Sequence, residues 1–94
     1  MWSASLTWRI EFAASVVKQL RKLDPAVSRR VTQFLRERVA PLKDPRSLGA
    51  ALKGDELGQF WKYRVGDYRI IAEIVDREIR ILVVRVGHRR DVYR

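Results

Sequence analysis

The ten residues 60–69, FWKYRVGDYR, constrain the fold more than any other part of this sequence. Two strand-like runs meet there at a Gly-Asp pair, which is typical of a two-residue hairpin turn, and a turn of that length sets the register of the two strands. In this register Arg64 lies opposite Arg69. Because successive residues on a strand point to opposite faces, the hairpin is predicted to have one apolar face and one cationic face.

The cationic face of the predicted hairpin consists of Lys62, Arg64 and Arg69. Like charges directly opposite each other weaken strand pairing, by roughly 0.2 to 1 kcal/mol. A sheet that accepts this cost is expected to hold an anion, since Arg binds phosphate oxygens through two parallel hydrogen bonds and Lys supplies a mobile point charge. The alternative is chance placement, because the chain has 20 basic residues.

Composition narrows the possible partners and chemistries. The 94 residues include 20 Lys and Arg against 11 Asp and Glu, a formal charge of +9, so a partner met by diffusion is expected to be anionic. The chain has no Cys and one His, which excludes disulfides and leaves few ligands for a zinc or iron site. We therefore expect no metal and no other cofactor. The length suits one domain with a single modest core, residues 1–94.

Apolar runs in the sequence are short. One of the longest, ILVV at residues 81–84, falls far below the roughly 20 residues that are needed to cross a bilayer. Residues 1–12 lack the cationic start, the apolar stretch and the small-residue cleavage site of a secretory signal. We expect a cytoplasmic protein that has no membrane partner.

The first half of the chain predicts one strand and two helices. Residues 6–12 alternate as a short strand does, and residues 13–23 repeat apolar positions at helical spacing. Asp24 and Pro25 suit the start of a second helix, because Asp caps free backbone N–H groups and Pro fits the first helical position. Pro41 marks the end of that helix. The two helices are expected to form an antiparallel hairpin.

The second half predicts a three-strand antiparallel meander of residues 59–65, 68–75 and 79–86. The third run is apolar on both faces, so it is expected to be a central strand that is either covered on both sides or flanked by the N-terminal strand. Its register depends on the preceding turn: a three-residue turn places Arg85 opposite Arg69, and a two-residue turn places it opposite Ile70. The fold class is therefore α+β, with the N-terminal strand and the two-helix hairpin packed on a mostly antiparallel sheet.

Residues 40–58 form the longest predicted irregular connection, punctuated by Pro and Gly. The connection carries Lys53 and is either a binding loop or a plain connector. Phe60 follows it on the same face as Lys62, where it either stacks on a nucleobase or packs under the connection.

The C-terminal residues 87–94, GHRRDVYR, bring more functional side chains near the hairpin if the last strand runs beside it. Arg89 and Arg90 add cations, and Tyr93 is able to stack on a base or to transfer a proton. His88 is the single histidine, so it does not supply both the acid and the base of a two-imidazole ribonuclease. It is either a structural side chain or a partial contributor to proton transfer.

Two motifs, W-K-x-R-x-G-x-Y-R in residues 61–69 and G-H-R-R-x-x-Y in residues 87–93, together resemble the RelE family of type II toxin–antitoxin toxins. The resemblance extends over nearly the whole chain. It implies a small toxin whose strands and helices follow the chain order β-α-α-β-β-β. It also implies that this toxin enters the ribosomal A site and cleaves messenger RNA there without a metal, until an antitoxin wraps and blocks it. Matched by motif position, it implies that the catalytic side chains are Lys62, Arg64, Arg69, Arg89 and Tyr93.

Cleavage of this kind requires the 2′-hydroxyl to attack the neighbouring phosphate in line, together with a base, an acid and stabilising cations. Tyr93 and Lys62 are the candidate proton carriers. Arg64 stands where the family often has Lys, and since an arginine does not give up its proton in a protein, it is assigned to charge stabilisation. Further expected contacts to the substrate are Lys53, Phe60, Arg85, His88 and Arg90.

The resemblance and the charge together predict the partners. These are a RelB-like antitoxin with acidic patches and a ribosome with messenger RNA in its A site, and operator DNA is expected only through the antitoxin. One alternative is a ParE-like toxin of the same superfamily, which binds DNA gyrase and has no nuclease activity. Another is a stand-alone nucleic-acid-binding domain, which predicts salt-dependent binding without cleavage.

Overall fold

The computed structural model describes residues 7–52 and 60–92. The strands are β1 Arg9–Phe12, β2 Ala50–Ala51, β3 Phe60–Val65, β4 Tyr68–Val75 and β5 Arg80–His88. The helices are α1 Ala14–Lys22 and α2 Pro25–Phe34. The strands form one mixed sheet in the order β1-β5-β4-β3-β2, in which β1 is parallel to β5 and the other pairs are antiparallel. The predicted α+β class is confirmed, and so is the central position of the third meander strand beside the N-terminal strand.

The two helices are joined by the predicted cap. The Asp24 carboxylate accepts a hydrogen bond from the Ala26 N–H at 2.8 Å, and Pro25 occupies the first helical position. The Ser28 hydroxyl ties the helices together by donating to the Leu20 carbonyl at 2.6 Å. The helical backbone then continues past α2 as a π-helical turn, Leu35–Val39, which ends shortly before the predicted boundary at Pro41.

A single apolar cluster fills the space between the helices and one face of the sheet. Its buried members are Val16, Val31, Leu35, Val39, Tyr63, Ile70, Ala72, Ile81, Val83 and Val86. Tyr63 of β3 and alternate residues of β4 are among them, and Trp61 and Val65 of β3 pack partly buried against them, as the predicted apolar face of the hairpin requires. The opposite face of the sheet is therefore left for the cationic side chains.

The β3–β4 hairpin has the predicted register. Arg64 pairs with Arg69, and Lys62 pairs with Ile71. Gly66 in the turn has φ +57°, a conformation that L side chains rarely adopt and that hairpin turns of this length need.

The β4–β5 register differs from both predicted alternatives, which are wrong. Arg85 lies opposite Ile71, and Gly87 lies opposite Arg69. Near the β4–β5 turn, Val75 pairs with Arg80. If that register continued along the strands, Arg85 would lie opposite the buried Ile70. A β-bulge midway along the pair leaves Val84 as an extra residue and moves Arg85 to the outer face. No count of turn residues reveals such a bulge.

The predicted irregular connection is only partly irregular. Within its described part, Pro45–Leu48 is a 3-10 turn, and β2 pairs with β3 so that Ala50 lies opposite Lys62. The Tyr63 hydroxyl donates to the Pro45 carbonyl at 2.7 Å and anchors this turn to the core. Lys53 lies outside the described residues. Neither α1 nor α2 combines the length and the apolar character that a membrane-spanning helix needs.

Candidate functional site

The cationic face lies on the side of the sheet away from the helices. Lys62 and Arg64 come from β3, and Arg69 comes from β4. Their neighbours in sequence, among them Tyr63 and Ile70, are buried on the other side, so strand alternation directs all three cations outward. The structure therefore brings together the three cations that the hairpin register predicted to share a face.

Arg69 is ordered by the turn beside it. Its Nη1 donates to the carbonyls of Gly66 and Tyr68, each at 3.0 Å. These bonds occupy one of the three guanidinium nitrogens, and a guanidinium has five N–H donors in a planar fork. The bonds partly offset the repulsion from Arg64 and hold the Arg69 side chain over the hairpin turn.

The arginines at the other end of the sheet are paired with carboxylates. The guanidinium of Arg80 contacts Glu11 at 2.8 Å and Glu78 at 3.2 Å. Arg46 contacts Asp76 at 2.6 Å, and this hydrogen bond holds the pKa of the Asp76 carboxyl below its usual range. By contrast, Arg64 and Arg69 have no carboxylate partner among residues 7–52 and 60–92. Cations without carboxylate partners on one face suit an anionic ligand.

The C-terminal segment docks on the hairpin turn. The Arg89 N–H donates to the Asp67 carbonyl at 2.8 Å, and the segment then turns back on itself, with the N–H groups of Asp91 and Val92 donating to the His88 carbonyl. Arg89 is consequently held beside the β3–β4 turn, with its side chain exposed, and Arg90 is exposed next to it. Tyr93 lies outside the described residues.

His88 lies on the helix side of the sheet, because it comes two residues after the buried Val86 in β5 and alternate residues share a face. Its partner in β4 is Tyr68. Its ring meets the Tyr68 ring edge to face, with 5.6 Å between centroids, and its Nδ1 accepts a hydrogen bond from the Arg90 N–H at 3.2 Å. The structure does not bring His88 together with the cationic face.

Two other predicted site residues, Phe60 and Arg85, share the outer side of the sheet with Glu73. Phe60 pairs with Glu73, and both are partly exposed on the same side as Lys62. Arg85 also projects there, opposite Ile71. Across the described residues, no group of three His, Asp or Glu side chains is arranged to hold a metal ion.

A cleft of about 250 Å³ adjoins the cationic face at the edge of the sheet. Lys62 and Arg64 line one side of it, and the segment that leads from the 3-10 turn into β2, including the exposed Leu48, lines the other. Sequence reasoning missed this side, because a two-residue strand of alanines shows no alternation. Gly49 carried the available signal: a Cβ there would lie 3.0 Å from the Tyr63 ring, so this close approach favours Gly.

A model of the family described as the ParE toxin of the type II toxin–antitoxin system parDE matches residues 10–93. The chain is also 28% identical over 89 residues to toxin RelG of Mycobacterium tuberculosis, which covers 95% of this chain and 99% of that protein. These comparisons concern sequence and span nearly the whole chain.

Two solved structures have a similar fold and sequence. A chain of the toxin–antitoxin complex RelBE2 from Mycobacterium tuberculosis is 26% identical with a TM-score of 0.80, covering 92% of this chain and 95% of that one. A chain of the archaeal RelE–RelB complex from Pyrococcus horikoshii is 26% identical with a TM-score of 0.66, covering 92% and 99%. Both structures are complexes of a toxin with its antitoxin.

Proposed function

The chain belongs to the ParE toxin family of type II toxin–antitoxin systems, within the RelE/ParE superfamily, and from its cationic face we propose that it arrests translation by cleaving messenger RNA in the ribosomal A site. The observation that carries the proposal is the Arg64–Arg69 pair, two cations in one ladder position without a carboxylate partner among the described residues. Lys62 extends this face, and Arg89 adjoins it through its hydrogen bond to the hairpin turn.

In the proposed reaction, the 2′-hydroxyl oxygen of the message attacks the adjacent phosphorus in line as the bond from phosphorus to the 5′-oxygen breaks. The products are a 2′,3′-cyclic phosphate and a 5′-hydroxyl. Lys62 and Tyr93 are the proposed proton carriers, one accepting the proton of the 2′-hydroxyl and the other delivering a proton to the leaving 5′-oxygen. The charge that develops on the phosphate oxygens is neutralised by Arg64, Arg69 and Arg89.

Mapping of message 5′ ends after induction tests the proposal in cells, where we expect growth arrest and new ends within codons. Purified ribosomes programmed with a defined message provide the direct assay. Arg89→Ala should lower the cleavage rate by at least about 100-fold, the usual cost of removing one charge-stabilising donor. Arg36→Ala removes an exposed arginine beyond α2 and serves as the control with the same change in charge. Intact messages with wild-type protein, or equal cleavage by both variants, would contradict the proposal.

A second candidate is a ParE-like toxin that inhibits DNA gyrase without cutting RNA. The description of the matching family model, which names ParE, favours this candidate. A supercoiling assay with purified gyrase separates the two functions: inhibition at toxin concentrations that leave ribosome-bound message intact supports gyrase as the target. The Arg64–Arg69 pair supports the nuclease, because a protein that only binds gyrase does not need to hold a phosphate.

We propose a RelB-like antitoxin with acidic patches as the partner that silences the toxin in the cytoplasm. The structural neighbours support this, since both belong to toxin–antitoxin complexes. The net charge of +9 gives such a partner a strong electrostatic attraction. Binding to operator DNA is proposed to occur only through the antitoxin.

A further inference from the structure

We propose that Arg85 is a positioning residue that holds the C-terminal turn on β5 and thereby keeps Arg89 beside the cationic face. This inference rests on the proposed function only for its effect on cleavage, since the holding role itself concerns the free protein. It assigns the Arg85 guanidinium to the protein's own backbone, whereas the sequence alone predicted a contact between Arg85 and the substrate.

The contact that carries the proposal is a hydrogen bond across the turn. Nη1 of Arg85 donates to the Val92 carbonyl at 2.8 Å. Val92 is only 2% exposed, and its Cβ would lie 3.7 Å from a Cβ built on Gly87. The end of the turn is thus fastened to the strand from which the turn begins.

The start of the turn is fastened separately. The Arg89 N–H donates to the Asp67 carbonyl at 2.8 Å, and the His88 carbonyl accepts from the N–H groups of Asp91 and Val92 at 2.8 and 3.0 Å. Loss of the bond at the Val92 end would leave the turn held only by the backbone bonds at its start, so that its motion about His88 would increase. Arg89 lies next to His88, so this motion would strain its bond to Asp67 and shift its side chain.

Packing beneath the turn is incomplete, so discrete hydrogen bonds decide its position. A cleft of about 240 Å³ lies between the turn and the edge of β5, with Gln19 of α1, Arg85 and Asp91 among its lining residues. Val92 is buried at the end of the turn, whereas the residues over the cleft gain little from van der Waals contact. A hydrogen bond from a side chain to a carbonyl of the turn is correspondingly more important there.

The β-bulge gives Arg85 its access to the turn. Without the extra residue Val84, the register next to the β4–β5 turn would direct Arg85 toward the core, opposite Ile70. With it, Val83 and Val86 are both buried while Arg85 reaches the outer side. The bulge therefore redirects the Arg85 side chain to the side on which it reaches the C-terminal turn, as bulges commonly do.

The role requires a donor at position 85 and does not require a charge, which makes Arg85→Gln and Arg85→Leu a matched pair. Gln retains N–H donors and Leu has none. On the free protein, hydrogen exchange at the amides of Arg89 and Val92 should accelerate by at least about tenfold in Arg85→Leu and much less in Arg85→Gln. Unchanged exchange in Arg85→Leu, in a variant that circular dichroism shows to be folded, would overturn the proposal.

The ribosome assay distinguishes positioning from phosphate binding. We expect kcat to fall about 10- to 100-fold in Arg85→Leu with little change in KM, because a misplaced stabilising group affects the transition state most. Arg85→Gln should recover most of this loss. Equal losses in both variants, with a raised KM and a salt slope of binding reduced by about 0.7, would identify a phosphate ligand and overturn the proposal. Because the exchange experiment needs no substrate, absence of cleavage by the wild type would reject the nuclease without affecting the test of the turn.

Discussion

Arg64 lies directly opposite Arg69 in the β3–β4 ladder, on the face of the sheet that the helices leave uncovered. Arg69 donates to two carbonyls of the adjoining turn, and neither arginine has a carboxylate partner among the described residues. The arginines at the far end of the sheet, Arg46 and Arg80, are paired with acids. The hairpin therefore carries a local electrostatic cost that a bound phosphate would relieve.

Arg64→Gln should stabilise the fold while it weakens function. Removal of one of two opposed charges is expected to raise the free energy of unfolding by roughly 0.2 to 1 kcal/mol in urea titrations at low salt, and the gain should shrink as salt screens the repulsion. Cleavage should fall in the same variant. Arg36→Gln, an exposed control, should change neither quantity. A lower free energy of unfolding for Arg64→Gln would show that the repulsion between Arg64 and Arg69 does not destabilise the fold.

Lys62 and Arg64 should respond differently to exchanges that preserve charge. Lys62→Arg keeps the cation but removes a group able to exchange its proton, so kcat should fall about 10²- to 10⁴-fold and the pH profile should lose one limb. Arg64→Lys keeps the charge at a position assigned only to stabilisation, and most activity should remain. Single-turnover cleavage on programmed ribosomes across pH measures both. Wild-type rates in Lys62→Arg would remove Lys62 from the proton carriers.

Tyr63 should make the fold sensitive to high pH. Burial raises the pKa of Tyr63 to about 12, with the Asp44 charge adding to this effect and the Arg46 charge opposing it. The unfolded chain loses this proton near pH 10, so the stability linked to Tyr63 is fully present below pH 10 and is lost as pH rises toward 12. The loss amounts to roughly 3 kcal/mol.

Tyr63→Phe provides the comparison for this effect. It should lower stability at neutral pH by about 1 kcal/mol, because the Pro45 carbonyl loses its donor. The free energy of unfolding should then depend less on pH between 10 and 12 than it does in the wild type. Urea titrations of both proteins at several pH values measure the difference. If the free energy of unfolding of the two proteins changed with pH in parallel, burial of the Tyr63 hydroxyl would not be the source of the pH dependence.

Ile79 occupies a strained backbone position in the β4–β5 turn. Its φ of 49° and ψ of 51° are left-handed, a conformation that is costly for a β-branched residue. Ile79→Gly should therefore be more stable than Ile79→Ala by about 1 kcal/mol, since both variants lose the side chain and only Gly is free of the strain. The same pair at Arg77, where φ is not positive, should show the usual order, with Gly less stable. Thermal or urea unfolding of the four variants measures the difference in stability between Gly and Ala at each position.

The amino-acid sequence by itself determined the local features. The two-residue turn sets the opposition of Arg64 and Arg69, Asp24 and Pro25 set the start of α2, and the alternation of β3 and β4 sets which side chains are buried. Each depends on residues a few positions apart, whose spacing and stereochemistry act before any distant part of the chain is in place. The cationic face belongs to this group.

Only the tertiary structure decided how distant segments meet that face. The bulge at Val84 turns Arg85 outward, and the hydrogen bond to Asp67 holds Arg89 at the hairpin. His88 pairs with Tyr68 and therefore lies on the other side of the sheet. These placements depend on the packing of β5 against α1 and β4, where burial of Val83 and Val86 together outweighs a regular register. Such a balance is settled between elements far apart in sequence, and the local pattern of residues therefore does not encode it.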